Sequence, residues 1–261
     1  MNSPKVSIVT VVFNNVETIA DTLDSVLSQD YTSIEHIVVD GNSTDGTSEL
    51  LQKRRGQLGH YVRESDKGMY DAMNKGIKLA SGDIVGILNA DDFLEDATTI
   101  SKIVHQFQTN PTDCLYGDVQ FVAQKNPSKI VRYYSSSFFK PERFAYGFMP
   151  AHPSFYVKRC FYEKLGLYKT DYKIAADYEL LVRFLLVNRI SYQYLEHPLV
   201  RMRTGGASNA SWATYWTLNR EVVRACRENG ISTSLPKILC KYAIKLLEFA
   251  PGRRKLRAAK T

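Results

Sequence analysis

Two hydrophobic periods alternate along the first part of the chain. Apolar, largely β-branched runs at 6–13, 34–40 and 84–88 have the pattern of strands buried on both faces. Between them, 17–29 sets Ile19, Leu23, Val26 and Leu27 at helical spacing. The stretch 44–55 opens on Ser43, Thr44 and Asp45, whose side chains cap free helix amides. Further helices are predicted over 69–80 and 97–108. Strands alternating with helices build a largely parallel sheet covered on both faces, so the expected fold class is α/β.

Beyond Pro111 the pattern changes. Short strands are predicted at 114–122, 130–134 and 154–158, then a strongly apolar helix at 175–187 and a strand at 192–200. The Ser-, Phe- and Tyr-rich stretch 133–150 has no clear period and reads as a loop. Helices at 211–228 and 235–249 close the chain. There is no internal repeat and no low-complexity linker.

Composition narrows the class. Of 261 residues, 44% are hydrophobic and 23% charged, which excludes disorder as the main state. No apolar run approaches the ~20 residues of a membrane-spanning helix. The run 6–13 follows a single Lys5 and precedes no small-residue cleavage site, so a cytoplasmic protein is expected. The net charge of +7 sits at one end: from Lys237 onward there are eight basic residues and one acid, Glu248. Residues 1–236 are neutral, unlike a nucleic-acid-binding domain. Cys114, Cys160, Cys226 and Cys240 form neither CxxC pairs nor zinc spacings, and buried free thiols are expected.

The candidate chemistry lies where strands end. In an open α/β sheet, ligands bind beyond the carboxyl ends of the strands. Here those ends read Phe13-Asn14-Asn15, then Asp40-Gly41-Asn42-Ser43-Thr44-Asp45-Gly46, then Asn89-Ala90-Asp91-Asp92. Asn, Asp and Gly also make turns, which by itself accounts for Asn14 or Gly41. Two adjacent carboxylates ask for more, because they repel unless a positive charge stands by. A helix cap uses one Asp; oxygen ligands suit Mg²⁺ or Mn²⁺ shared with phosphates. G-x-G-x-x-G and G-x-x-x-x-G-K-[ST] are both missing, which argues against a nicotinamide dehydrogenase or a P-loop NTPase. Asp40 is placed to accept from a ribose or a base edge. A nucleotide and a cation without hydride chemistry suggest a nucleotide-activated substrate.

Val6-Ser7-Ile8-Val9-Thr10, Ile37–Thr47 with its Asp40-Gly41-Asn42-Ser43-Thr44-Asp45 core, and Asn89–Asp92 together resemble glycosyltransferase family 2. Glu64-Ser65-Asp66-Lys67-Gly68-Met69-Tyr70-Asp71-Ala72-Met73-Asn74-Lys75-Gly76 is similar to a subset that builds bacterial surface polysaccharides. The likeness runs from residue 5 to about 206. It implies the GT-A fold, a Rossmann-like, mostly parallel sheet flanked by helices. Residues 1–110 would bind the nucleotide sugar, 111–210 would form the acceptor half of the same domain, and 211–261 would be C-terminal helices with a basic tail.

The resemblance also implies roles. Thr10, Val11, Phe13 and Asp40 would hold the nucleoside, and Asp66 and Lys67 would lie on a second nucleotide-contacting loop. Asp91 matches the carboxylate nearest the metal, Mn²⁺ or Mg²⁺, with Asp92 beside it. Asn89 departs from the pattern, which more often has an acid there, and Met73 stands where many members have Arg before Asn74. Asp177, in Ile174-Ala175-Ala176-Asp177-Tyr178-Glu179, matches the base that takes the acceptor proton, and His152 would line the acceptor cleft. Burial among Ala175, Ala176, Leu180 and Leu181 would raise the Asp177 pKa and a helix N-terminus would lower it; a helix-capping role is the alternative. Arg201 and Arg203 precede Gly205-Gly206 and are candidates to close over a diphosphate. Tyr133, Tyr134, Phe138 and Phe139 either stack on a sugar ring or pack beneath the loop.

The implied function is an inverting glycosyltransferase. It would use a nucleoside-diphosphate sugar, UDP-linked by default, and a hydroxyl of a growing surface glycan carried on a lipid such as polyprenyl diphosphate. A sugar nucleotidyltransferase would show a Gly-rich, Arg-containing first loop in place of Val12-Phe13-Asn14-Asn15. A non-catalytic glycan-binding protein would not need Asp91, Asp92 and Asp177 together. In the last helix, Lys237, Lys241 and Lys245 share one face, and Arg253, Arg254, Lys255 and Arg257 follow. Membrane-surface contact through 237–261, at the inner face of the membrane, is one reading; a helix packed on the core is the other.

Overall fold

Every residue of β1 (Val6–Val12) is buried, as its uncharged β-branched sequence requires. The computed structural model describes residues 3–205 and 212–248. β1 pairs in parallel with β2 (Ile34–Asp40) on one side and β4 (Ile84–Ile87) on the other, and β2 pairs with β3 (His60–Arg63). Helices α1 (Ile19–Leu27), α2 (Thr47–Lys53) and α3 (Met69–Leu79) make the crossovers. α3 packs its backbone directly on the sheet: a Cβ at Gly76 would lie 2.3 Å from Val9 Cγ1, so only glycine fits there.

The sheet continues into the second half. β5 (Phe93–Leu94) and α4 (Thr99–Thr109) precede the long strand β6 (Cys114–Ala123) and its hairpin partner β7 (Asn126–Tyr134). β8 (Tyr156–Lys158), α5 (Cys160–Leu165), α6 (Ala176–Leu181) with a π-helical turn at Val182–Val187, and β9 (Tyr192–Arg203) follow. The strand order is β3-β2-β1-β4-β8-β6-β9-β5, with β7 beside β6. Six strands share one direction, and β5, β7 and β8 oppose them, so the sheet is mostly parallel. One apolar cluster runs from Val9 and Ile37 through Tyr70 and Met73 to Tyr178, Phe184 and Val222. The two halves therefore share a core.

Several expectations change. β3 was not predicted: it is a four-residue edge strand of half-exposed His60, Tyr61 and Val62, too short to show a period. The stretch read as a loop contains a 3₁₀ segment, Pro141–Tyr146, anchored by buried Phe144. β9 runs on to Arg203, so Arg201 and Arg203 lie in a strand and not in a glycine loop. Of the four thiols, Cys114 and Cys226 are buried, whereas Cys240 is exposed.

The closing helices are α7 (Trp212–Glu228) and α8 (Leu235–Glu248). Two lysines of α8 pack against the domain. Lys241 is buried beside Gly147, and the Lys237 ammonium lies 4.4 Å over the Tyr146 ring. Packing thus accounts for Lys237 and Lys241; the Lys245 side chain and residues 249–261 lie outside the described residues. Among the described residues, no helix is long and apolar enough to cross a membrane.

Candidate active site

Parallel pairing aligns the strand ends: Val12 stands opposite Asp40, Asp40 opposite Arg63, and Val9 opposite Ile87. The loops 13–15, 41–46, 64–68 and 88–92 therefore leave the sheet along one rim. Asn14 and Asn42 take left-handed backbone, φ 48° and 68°, which Asn tolerates. The Asn14 side-chain oxygen accepts from the Thr44 backbone amide at 2.8 Å, and the Asn14 backbone amide donates to Ser43 Oγ at 2.9 Å. Asn14 thus serves as a turn residue that joins two rim loops.

The expected nucleoside residues divide into two groups. Thr10 is buried, its hydroxyl 3.0 Å from His36 Nε2, and burial holds that imidazole at about 4, hence neutral. Val11 is buried beside it. Asp40 is buried too, and accepts from the Ser43 amide at 2.9 Å, the Tyr61 hydroxyl at 3.2 Å and the Ser48 hydroxyl. Those donors belong to its own loop, to the first turn of α2 and to β3, so Asp40 holds the rim loop to its neighbours. Phe13, 64% exposed, reaches the surface. A Cβ on Gly41 would lie 2.5 Å from Asp66 Oδ2 and 3.4 Å from the Phe13 ring, so Phe13, Gly41 and Asp66 meet on the rim. Asp66 Oδ1 accepts the Gly68 amide at 2.9 Å, and exposed Lys67 donates its amide to Asp71 at 3.0 Å.

Asp40→Ala is expected to weaken nucleoside-diphosphate binding by roughly 1–3 kcal/mol through collapse of this loop, and to lower the melting temperature with it. Calorimetric titration beside thermal melting checks both. Weaker binding at an unchanged melting temperature would instead put the carboxylate on the nucleoside.

Asp91 and Asp92 follow β4 directly. Burial raises the Asp91 carboxyl above its ordinary range, against the opposing charge of Arg203. Burial, and then the charge of Asp91, push Asp92 well above that range. Asp92 Oδ2 accepts from the Asn89 amide at 3.3 Å. Two buried polar atoms in this neighbourhood have no hydrogen-bond partner: Asn89 Oδ1 and Arg203 Nε. An orphaned oxygen beside two strained carboxylates fits a divalent cation. No third His, Cys, Asp or Glu joins the pair among the described residues, so water and a diphosphate would complete the set.

Arg201 and Arg203 differ in use. Arg201 forms a two-point pair with Glu95, 2.9 and 2.8 Å, and is committed there, which removes it from the expected diphosphate loop. Arg203 is buried, bonded to Asp21 and to the Gln124 carbonyl at 3.3 Å, with its charge acting on Asp91 and Asp92.

The second half brings its predicted pair together. Asp177, in the first turn of α6, has Oδ2 3.1 Å from His152 Nδ1, while Oδ1 accepts the Tyr178 amide at 2.8 Å. His152 is 42% and Asp177 18% exposed. Tyr70 was quoted in a motif but given no role. Its hydroxyl donates to the Ile174 carbonyl and lies 3.5 Å from Asp177 Oδ1. Burial, and then the Asp177 charge, raise the Tyr70 pKa, so it remains a donor. A small cavity is lined by Tyr70, Ile87, Asn89, His152 and Asp177. It joins the end of β4 to α6.

Two further carboxylates surround this point. Glu179 is fully buried; burial favours its neutral form, but Arg183, Asn229 and Lys169 outweigh that and hold it below the usual range. It is therefore unsuited to take a proton from a substrate. Glu221, on α7, accepts the amides of Lys173, Ile174 and Ala175 at 2.8, 2.9 and 2.9 Å. It fixes the segment that delivers Asp177. No sequence signal marked it, since the contact joins residues 46 to 48 apart.

The model of the family described as "Glycosyl transferase family 2" matches residues 7–163. A PGL/p-HBAD biosynthesis glycosyltransferase of Mycobacterium bovis is 28% identical over 215 residues, covering 80% of this chain and 81% of that protein. An uncharacterized glycosyltransferase of Mycobacterium tuberculosis is 32% identical over 190 residues, 71% of each chain. Among solved structures, residues 1–349 of S. aureus TarS with UDP-GlcNAc align with TM-score 0.68 at 20% identity, covering 85% of this chain and 66% of that one. The chain spans 44% of a longer TarS structure. A Pyrobaculum calidifontis mannosyltransferase with GDP-Man and Mn²⁺ aligns with TM-score 0.60 at 19% identity, covering 98% and 83%. These neighbours have the GT-A fold.

Proposed function

From the premise that this chain belongs to glycosyl transferase family 2, we propose that it is an inverting, metal-assisted glycosyltransferase. It moves a sugar from a nucleoside diphosphate, UDP by default, to a hydroxyl of a growing, lipid-linked surface glycan. The observation that carries this reading is the shared cavity: Asn89, beside the Asp91–Asp92 pair, and Asp177 with His152 line one space. The cavity, about 30 Å³, is too small for substrate, but it sets the end of β4 that carries the carboxylate pair beside Asp177.

The rim surface where Phe13, Gly41 and Asp66 meet would take the nucleoside, with Lys67 next along the same loop. Asp91, with Asn89 Oδ1 and Asp92 behind it, would hold Mn²⁺ or Mg²⁺, which offsets charge growing on the diphosphate. Arg203 adds a fixed positive charge to the same pair. Asp177 accepts the acceptor O–H proton as that oxygen bonds to the anomeric carbon and the bond to the diphosphate breaks. One in-line displacement inverts the centre and needs no protein nucleophile. His152 orients the Asp177 carboxylate from one side and Tyr70 approaches it from the other. The protein would work in the cytoplasm, at the inner face of the membrane where its acceptor is carried.

The reading is tested by incubating the protein with a panel of nucleoside-diphosphate sugars and Mn²⁺. Release of nucleoside diphosphate from one of them, abolished by chelator, is the expected result. Release of pyrophosphate from a sugar phosphate and a nucleoside triphosphate would make it a nucleotidyltransferase.

A further inference from the structure

α3 holds a loop on either side of it. On one side Asp71 and Lys75, a helical turn apart, secure the loop after β3. Asp71 accepts the Lys67 amide at 3.0 Å, and the Lys75 ammonium meets Glu64 at 2.9 Å and the Ser65 carbonyl at 2.8 Å. That loop carries Asp66. On the other side Tyr70 and Asn74, also a turn apart, reach the irregular stretch from Gly166 to Ala175 that leads into α6. The Tyr70 hydroxyl donates to the Ile174 carbonyl. The Asn74 side chain holds both backbone groups of Tyr168, with Nδ2 donating to the carbonyl at 2.8 Å and Oδ1 accepting the amide at 2.9 Å.

The chemistry of Asn74 suits this pairing. An amide side chain offers a donor and an acceptor at once, as a neighbouring strand would. Asn74 is buried, so the two bonds are shielded from water. Tyr168, fixed in this way, stacks its ring on Tyr70 with centroids 5.7 Å apart and lines the small cavity with Asp177. The Tyr70 hydroxyl in turn lies 3.5 Å from Asp177 Oδ1. α3 is itself a fixed reference, because Gly76 seats its backbone against Val9 of β1. Glu221 secures the same stretch from α7; Asn74 ties it to the donor half.

We propose that Asn74 is a positioning residue that sets the Asp177 carboxylate, from α3, at a fixed distance from the loop carrying Asp66. It acts through Tyr168 and Tyr70. One rigid helix then gauges the separation between a bound nucleotide sugar and the group that takes the acceptor proton. The inference rests on the transfer reading, which makes Asp177 the base. A misplacement of about 1 Å at a reacting group costs ~10²-fold in rate, so two bonds remote from the reaction have a measurable effect.

The test uses Asn74→Ala and Asn74→Asp, each alone and combined with Asp177→Asn. Asn74→Asp keeps the size and the acceptor for the Tyr168 amide but sets a carboxylate against the Tyr168 carbonyl; it serves if the Ala variant does not fold. Nucleoside-diphosphate release is measured with UDP- and GDP-linked sugars and Mn²⁺, water standing in for the acceptor. With Asp177 present, kcat should fall ~10–10²-fold, at unchanged KM and unchanged calorimetric affinity for the matching nucleoside diphosphate. In the Asp177→Asn background the same substitution should change the rate by less than about twofold, because the carboxylate it positions is gone. Equal losses in both backgrounds would make Asn74 merely structural and overturn the proposal. So would wild-type turnover by a folded variant, or weaker nucleoside-diphosphate binding. A crystal structure of the variant needs no turnover. In it Asp177 Oδ2 should leave its place 3.1 Å from His152 Nδ1, and an unmoved carboxylate overturns the proposal. If the wild type itself releases nothing, the transfer reading fails, and the crystal structure still decides whether Asn74 places Asp177.

Discussion

Asp177→Asn is expected to slow sugar transfer by ~10²–10⁴-fold, the usual loss when a general base is removed, while sugar-nucleotide binding stays at the wild-type value. The substitution keeps size and shape and removes only the ability to take a proton. Binding should survive because Phe13, Gly41 and Asp66 belong to the loops after β1, β2 and β3 and none of them is bonded to Asp177. Single-turnover transfer beside calorimetric titration separates the two quantities. Transfer near the wild-type rate would move the base elsewhere. Glu179 is not the substitute, because it is fully buried among Arg183, Lys169 and Asn229. His152, whose Nδ1 is 3.1 Å from Asp177, would be.

The second large effect concerns Asp91. Asp91→Ala should lower turnover by ~10³-fold or more, since several kcal/mol of charge compensation at the leaving diphosphate would go with it. Wild type in excess chelator should fall to a similar level. Stability should move the other way. Burial raises the Asp91 and Asp92 carboxyls above their unfolded values, so the folded chain holds protons that the unfolded chain has released. Without metal or nucleotide, stability then falls as pH rises through the window between the ordinary and the raised values. At neutral pH the variant should melt at or above the wild-type temperature, measured in chelator. Full turnover by the variant would remove the metal assignment; a large drop in melting temperature would make Asp91 a structural residue.

The donor-side fold was legible because its strands are buried on both faces, and such strands announce themselves as unbroken apolar runs. β3 escaped because an edge strand of four residues leaves no such run. The Asp91–Asp92 pair and Asp177 stood out as charges that turn chemistry did not fully explain. The roles of Asp40 and Arg201 were harder to read, since each is decided by partners the sequence does not place. Ser48 and Tyr61 turn Asp40 into a loop anchor, and the register of β5 against β9 sets Arg201 opposite Phe93, beside Glu95. Lys241 shows the same limit. Spacing put it on a common face with Lys237 and Lys245, but only packing could say that Lys241 itself is buried.

The Glu221 clamp bears on how portable this site is. Every group assigned to the chemistry precedes Thr204, and the matched family region ends at residue 163. A chain ended after Arg203 would keep all of those groups and still strand three adjacent amides, those of Lys173, Ile174 and Ala175. Unpaired buried amides are costly, so that segment would rearrange and carry Asp177 with it. Exchanging the closing helices between relatives, as one would to transplant acceptor preference, therefore also exchanges the brace that aims the proton acceptor. In this chain the closing helices and the segment that carries Asp177 are one mechanical unit.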